Sequence, residues 1–198
     1  MGSALLLSDT NTATVQTLVN ALQSAGLTTN YMPGGISNYS GTPDASSYGS
    51  IILITGNFLT IDMPTSGQQS IVNAQQNCVT GIVMTEFAAF PVYSGKWTIL
   101  SSILLAPYVS GTVGTMDFNL LYAGHPIWTG LSTSFTTTVT IDYQRFGTPI
   151  SDAVIVANCS ICNSNSVFAY PQSGTAGRIV QISHASHYSF ASTFNWGK

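Results

Sequence analysis

The sequence predicts an α/β domain with a mainly parallel central sheet covered on both faces, and three observations predict it. Residues 4–8, 28–32, 50–55 and 81–85 form four short strand-like runs, each separated from the next by a helix-length or long crossover segment. These runs read as continuous apolar strands, the pattern of strands buried from both sides. Between the first two, Val15, Leu18, Val19 and Leu22 recur on one helical face and the pattern stops at Gly26.

In order, residues 4–8 run into a polar turn over 9–13, where Thr10 or Thr12 is placed to cap the first helix. The second strand is broken by Pro33-Gly34-Gly35, and the Ser/Gly/Pro/Asp-rich stretch 37–48 reads as a loop. The third strand ends at Gly56-Asn57, and 64–78 is a helix with Ile71, Ala74 and Cys78 on one face. The run 81–90 is the centre: a buried strand whose turn carries Glu86, the only glutamate. Ligands and catalytic groups collect at the carboxyl ends of such strands. Trp97, Leu100, Ile103 and Leu104 predict a helix running into Pro107, and 116–121 a further strand. The remainder is β-like at 136–143, 153–158, 167–170 and 178–183, with 171–177 a hairpin turn. Strands added at one edge of the parallel sheet account for this tail.

A chain of 198 residues suits one domain spanning 1–198, and 44% hydrophobic residues supply its core. Charge is scarce: only 6% of residues are Asp, Glu, Lys or Arg, against roughly 25% in ordinary soluble domains. A surface of Ser, Thr, Asn, Gln, Gly and Tyr repels its own copies weakly. That points to an extracellular, cell-surface or virion setting, with copies of itself or other assembly subunits as partners. The basic residues Lys96, Arg145, Arg178 and Lys198 are scattered, which excludes a nucleic-acid footprint. No apolar run approaches the roughly 20 residues that span a bilayer. The opening residues lack the pattern of a signal peptide, and an aromatic-rich ending is expected of a domain excised from a longer chain.

Two stretches carry a family resemblance. His125-Pro-Ile-Trp-Thr-Gly-Leu131 resembles the His-Pro-Ile-x-x-Gly-Leu segment of trehalose-utilisation (ThuA)-like proteins, a branch of the class I glutamine-amidotransferase-like superfamily. The closing hairpin, Val167-Phe-Ala-Tyr and then Gly177-Arg-Ile-Val-Gln-Ile-Ser-His184, resembles that superfamily's final strands. The resemblance implies a flavodoxin-like three-layer sandwich, with hairpin or edge strands added in the C-terminal half. Catalytic members carry a Gly-x-Cys-x-Gly elbow after the central strand. Here the elbow reads Met84-Thr85-Glu86-Phe87-Ala88, without cysteine or flanking glycine. Strained turns that expose a nucleophile need those small residues. Only the scaffold carries over.

Glu86 and His184 are the candidate catalytic pair, a carboxylate and an imidazole able to act as acid and base if the last strand brings them together. The alternative for Glu86 is binding backbone amides at the next turn. Asp9 ends the first strand and either binds at the same edge or fixes a turn; with Glu86 it makes two carboxylates, as glycoside hydrolysis needs. His125, His184 and His187 are candidate binding residues, but they lack the clustering of a zinc site, and no metal or cofactor is expected. His125 suits a structural hydrogen bond in its turn. Cys159-Ser-Ile-Cys162 is a candidate local disulfide, leaving Cys78 buried and free. Tyr39, Tyr48, Tyr93, Tyr108 and Tyr188 sit in loops, as on contact surfaces. The expectation is a non-catalytic structural or interaction module. The alternatives are a hydrolase using Glu86 and His184, directed at carbohydrate, and a carbohydrate-binding module.

Overall fold

The computed structural model describes residues 2–9, 12–55, 60–122, 124–129, 134–136, 141–171 and 173–183, the side chains of 12–14, 86, 128, 135, 141 and 142 excepted. Strand β1 (Ser3–Ser8) lies between β2 (Thr28–Pro33) and β3 (Ser50–Ile54), and β4 (Gly81–Met84) follows β3. All four are parallel, and β11 (Ile179–Ile182) adds a fifth parallel strand beside β4. From β11 onward the sheet turns antiparallel through β10 (Ser164–Tyr170), β9 (Val154–Cys159), β6 (Asp117–Leu120) and β7 (Ser134–Thr136). The full order is β2-β1-β3-β4-β11-β10-β9-β6-β7. This is the flavodoxin-like winding with a reversal of order at β1, extended at one edge as the C-terminal pattern predicts. A separate antiparallel ribbon pairs β5 (Tyr108–Gly114) with β8 (Ile141–Phe146).

The three layers follow from the alternation of side chains along the parallel strands. Leu5, Leu7, Ile51, Leu53, Ile82 and Met84 share one buried cluster, into which α3 (Thr65–Asn77) inserts Ile71, Val72 and Ala74. Ala4, Leu6, Ile52 and Ile54 face the other way and meet Val15 and Val19 of α1 (Thr12–Ser24). Leu18 and Leu22 pack at the rim of that second cluster, so the predicted helical face is the one buried. A third cluster under the antiparallel extension holds Met116, Phe118, Val156, Val167 and Ala169.

Several expectations are corrected. The helix predicted from Trp97 to Pro107 is a single 3-10 turn at Leu100–Ile103. Side chains from elsewhere take the backbone donors instead: Asp62 accepts from the Trp97 N–H at 3.0 Å, Gln68 from Ile99 at 3.1 Å, and Gln181 from Leu105 and Ala106 at 2.8 and 3.1 Å. Trp97 itself has φ +49°, outside any right-handed helix, and is buried. The single strand expected over 136–143 is split between β7 and β8, which belong to different sheets. Tyr39 is no contact residue; it is fully buried, and its hydroxyl donates to the Pro43 carbonyl at 2.8 Å. Tyr48 packs half-buried against the same core. Cys78 is exposed rather than buried, because α3 ends at Asn77 and the chain turns outward there. No described helix is long and apolar enough to cross a membrane.

Candidate functional site

The carboxyl ends of β1, β3, β4 and β11 define the edge at which ligands are expected. Asp9, just past β1, is committed to the scaffold. Its Oδ1 accepts from the Ile36 N–H at 2.7 Å and its Oδ2 from Ser37 at 3.0 Å, fixing the start of α2 (Gly35–Asn38). The turn after β4 is no nucleophile elbow. Thr85 is extended, with φ −97° and ψ 172°, and leads into a 3-10 turn at Glu86–Ala88. Both its N–H and its hydroxyl donate to the Leu53 carbonyl, at 3.2 and 3.1 Å, which ties this turn to β3. The Glu86 side chain, His184 and His187 lie outside the described residues, so their expected pairing has no geometry to report.

Near β11 this edge is closed by the β5–β8 ribbon. The Gln144 N–H of β8 donates to the Ser183 carbonyl at 2.9 Å, and the Phe146 ring meets Phe168 edge-on at 5.2 Å. Thr55, Thr85, Gln144 and Ser183 are all buried.

An opening appears further along the same edge. Strand β10 runs against β11 and β9 runs against β10. The end of β9 and the start of β10 therefore lie at the carboxyl edge of the parallel strands. There the chain leaving β8 and the β9–β10 turn enclose an open groove of about 790 Å³. Arg145, Thr148, Asn158, Ser160, Asn163 and Asn165 supply its polar lining, with Phe146 and Pro149 as apolar contacts. Among the described residues that line it there is one cation and no carboxylate.

Two devices hold the groove's turn. Cys159 and Cys162 form a disulfide, as their spacing suggested, and both are buried. Asp117 of β6, 7% exposed, anchors the same turn from beneath: its carboxylate accepts from the Ile161 N–H at 2.9 Å and from the Ser160 hydroxyl and Asn119 amide. Burial pushes the Asp117 pKa up, but the hydrogen bonds from Ser160, Ile161 and Asn119 outweigh it and bring it from 3.8 to about 2. Asp117 is not legible in the sequence, because a lone aspartate in a strand carries no motif. Around the Cys159–Cys162 pair, the tract 158–165, Asn-Cys-Ser-Ile-Cys-Asn-Ser-Asn, carries the available signal in its density of amides and hydroxyls.

His125 does what its turn motif suggested. It caps a 3-10 turn at Pro126–Trp128, its Nδ1 accepting from the Ile127 N–H at 3.3 Å. Burial, followed by the Arg178 charge, lowers its pKa, so the ring is neutral at neutral pH and Nδ1 stays free to accept. Among the described residues no group of three or more His, Cys, Asp or Glu side chains is arranged to hold a metal.

Neither a protein-family model nor a curated protein matches the chain. Among solved structures it is similar to the crystal structure of Agd3, described as a novel carbohydrate deacetylase, with a TM-score of 0.64 and 14% identity. The match covers 100% of this chain and 31% of that one. At that identity the likeness establishes a shared α/β fold, and this chain spans under a third of the neighbour's length.

The disulfide gives a direct prediction. Replacing Cys159 and Cys162 together with serine removes a four-residue closed loop, which costs about 2 kcal/mol and lowers the melting temperature by roughly 4–8 °C. Thermal melts of the double variant, and of the parent with and without reductant, check this. A reductant-insensitive melt would mean that the bridge does not hold the turn. In the native oxidised protein, a maleimide counted by mass spectrometry should label Cys78 and neither of the other two cysteines.

Proposed function

We propose that the chain is a carbohydrate-binding α/β domain that takes its ligand in the groove between the end of β8 and the β9–β10 turn. The observation that carries this reading is the lining itself. Neutral amides and hydroxyls at Thr148, Asn158, Ser160, Asn163 and Asn165 match the alternating donors and acceptors of sugar hydroxyls, and Phe146 and Pro149 offer apolar contact. Two facts support it: the groove sits at the carboxyl edge of a doubly wound sheet, and the fold is shared with part of a carbohydrate deacetylase. Descent from a ThuA-like, amidotransferase-like scaffold belongs to the proposal; the His125 turn and the β10–β11 hairpin support it. An extracellular or cell-surface setting is supported by the disulfide and by the scarcity of charge.

The test is a glycan array read with the parent and with Thr148→Trp. Thr148 is exposed and lies outside the regular elements, so an indole there obstructs the groove without disturbing the core. The parent should retain a restricted set of glycans, and the variant should lose them while melting within about 2 °C of the parent, as surface changes do. Retention unaffected by Thr148→Trp would remove the groove from the function. Exposed Tyr93, Val109 and Val113 keep one competing reading in view, a self-associating structural module. A native mass far above that of a monomer or dimer, unchanged by Thr148→Trp, would favour that alternative.

A further inference from the structure

We infer that the groove selects an anionic saccharide, with a carboxylate or sulfate of the sugar held by Arg145. This rests on the groove's being a glycan site. Arg145 is exposed on β8 at the groove, and among the described residues no carboxylate pairs with its guanidinium. Asp117, which anchors the groove's turn, is committed to Ser160, Ile161 and Asn119. Among the described residues, a chain with only four basic residues thus sets one of them in a groove lined by no carboxylate. A guanidinium offers a planar fork of donors and no acceptor, the geometry that recognises a carboxylate or sulfate through two parallel bonds.

Neutral groups supply the complementary half. Thr148 and Ser160 are exposed and line the same groove. A hydroxyl both donates and accepts, as a sugar hydroxyl does. One fork of donors beside neutral hydroxyls calls for a ligand with an anionic group and a nearby hydroxyl. An acidic sugar has both.

Calorimetric titration with three probes tests this: an oligogalacturonate, a sulfated galactan oligomer and a neutral galactan oligomer. At low salt at least one acidic oligomer should bind about tenfold more tightly than the neutral one, and the better of the two names the anionic group. Raising the salt should shrink the preference, and Arg145→Gln should abolish it. Arg145→Lys should keep part of it, since the charge remains while the fork is lost. Arg145 is exposed, so these variants are expected to fold. A neutral oligomer bound as tightly as the acidic ones, with binding lost in Thr148→Trp, overturns the anionic preference and leaves the glycan groove standing. An acidic preference that survives Arg145→Gln overturns the assignment of Arg145. Failure of all three oligomers to bind overturns the inference, and the array comparison with Thr148→Trp decides separately whether the groove reading falls too.

Discussion

Gly177→Ala is expected to cost at least about 3 kcal/mol and to lower the melting temperature by roughly 6–12 °C, enough to make the protein hard to recover folded. A Cβ at this position would lie 1.9 Å from the Thr80 carbonyl oxygen and 2.4 Å from its carbon. Both are backbone atoms just before β4, so no side-chain rotation relieves the overlap. Gly177 is also pinned from the other side: its N–H donates to the Gln75 carbonyl at 2.6 Å, and the Gln75 amide donates to the Gly177 carbonyl at 2.7 Å. Those bonds join the start of β11 to α3, and β11 is the strand that carries the antiparallel extension and its groove. Moving Gly177 away from Thr80 breaks them. Gly124→Ala is the control, because a Cβ there meets nothing within 4 Å; it should change stability by no more than about 0.5 kcal/mol. Melting of Gly177→Ala within about 2 °C of the parent would mean that β11 does not pack so closely on the β4 entry.

Gly177 also marks where the sequence was legible and where it was not. The strands β1, β3 and β4 and helix α1 could be read directly, because burial on two faces forces apolar runs and burial of one helical face forces a 3.6-residue period; β2, expected as another buried apolar run, is a half-exposed edge strand. Residues 97–107 misled because apolar side chains at helical spacing are equally needed by an irregular segment folded into a core. What decides between the two is whether distant polar side chains supply the backbone donors with partners, and Asp62, Gln68 and Gln181 do. Such partners lie up to 76 residues away, beyond any local pattern. The site followed the same logic. The edge of the sheet at which the groove opens was legible, since strand order and direction place it. Its open part was not, because the ribbon that closes the β11 end and the turn that opens the groove come from pairings between β5 and β8 and between β9 and β10. Asp9 points to the expected edge but is spent on the amides of Ile36 and Ser37.

Asp117→Asn is expected to lose about 2–3 kcal/mol at neutral pH, the worth of hydrogen bonds to a charged group, and the loss should disappear in acid. One carboxylate oxygen takes the Ile161 N–H while the other serves Ser160 and Asn119 together; an amide keeps only one acceptor and brings two donors that face donors. The sign of the pH dependence follows from the pKa, which lies at about 2 in the folded protein against 3.8 for an unperturbed aspartate. Because the folded pKa is depressed, the unfolded chain takes up the proton first as pH falls. The stabilisation is then complete above the unfolded value, declines as pH drops from about 4 towards 2, and is gone below the folded pKa. The melting temperatures of parent and Asp117→Asn should therefore differ by roughly 4–12 °C at neutral pH and converge near pH 2. A gap that stays constant across that range would show that the charge on Asp117 is not what holds the turn. The substitution should also weaken glycan binding at neutral pH although Asp117 does not line the groove, because Ser160 and Asn163 are presented by the turn it anchors. Binding unchanged in a folded Asp117→Asn variant would separate the turn from the groove, and the ligand would then have to be held by the Arg145 side alone.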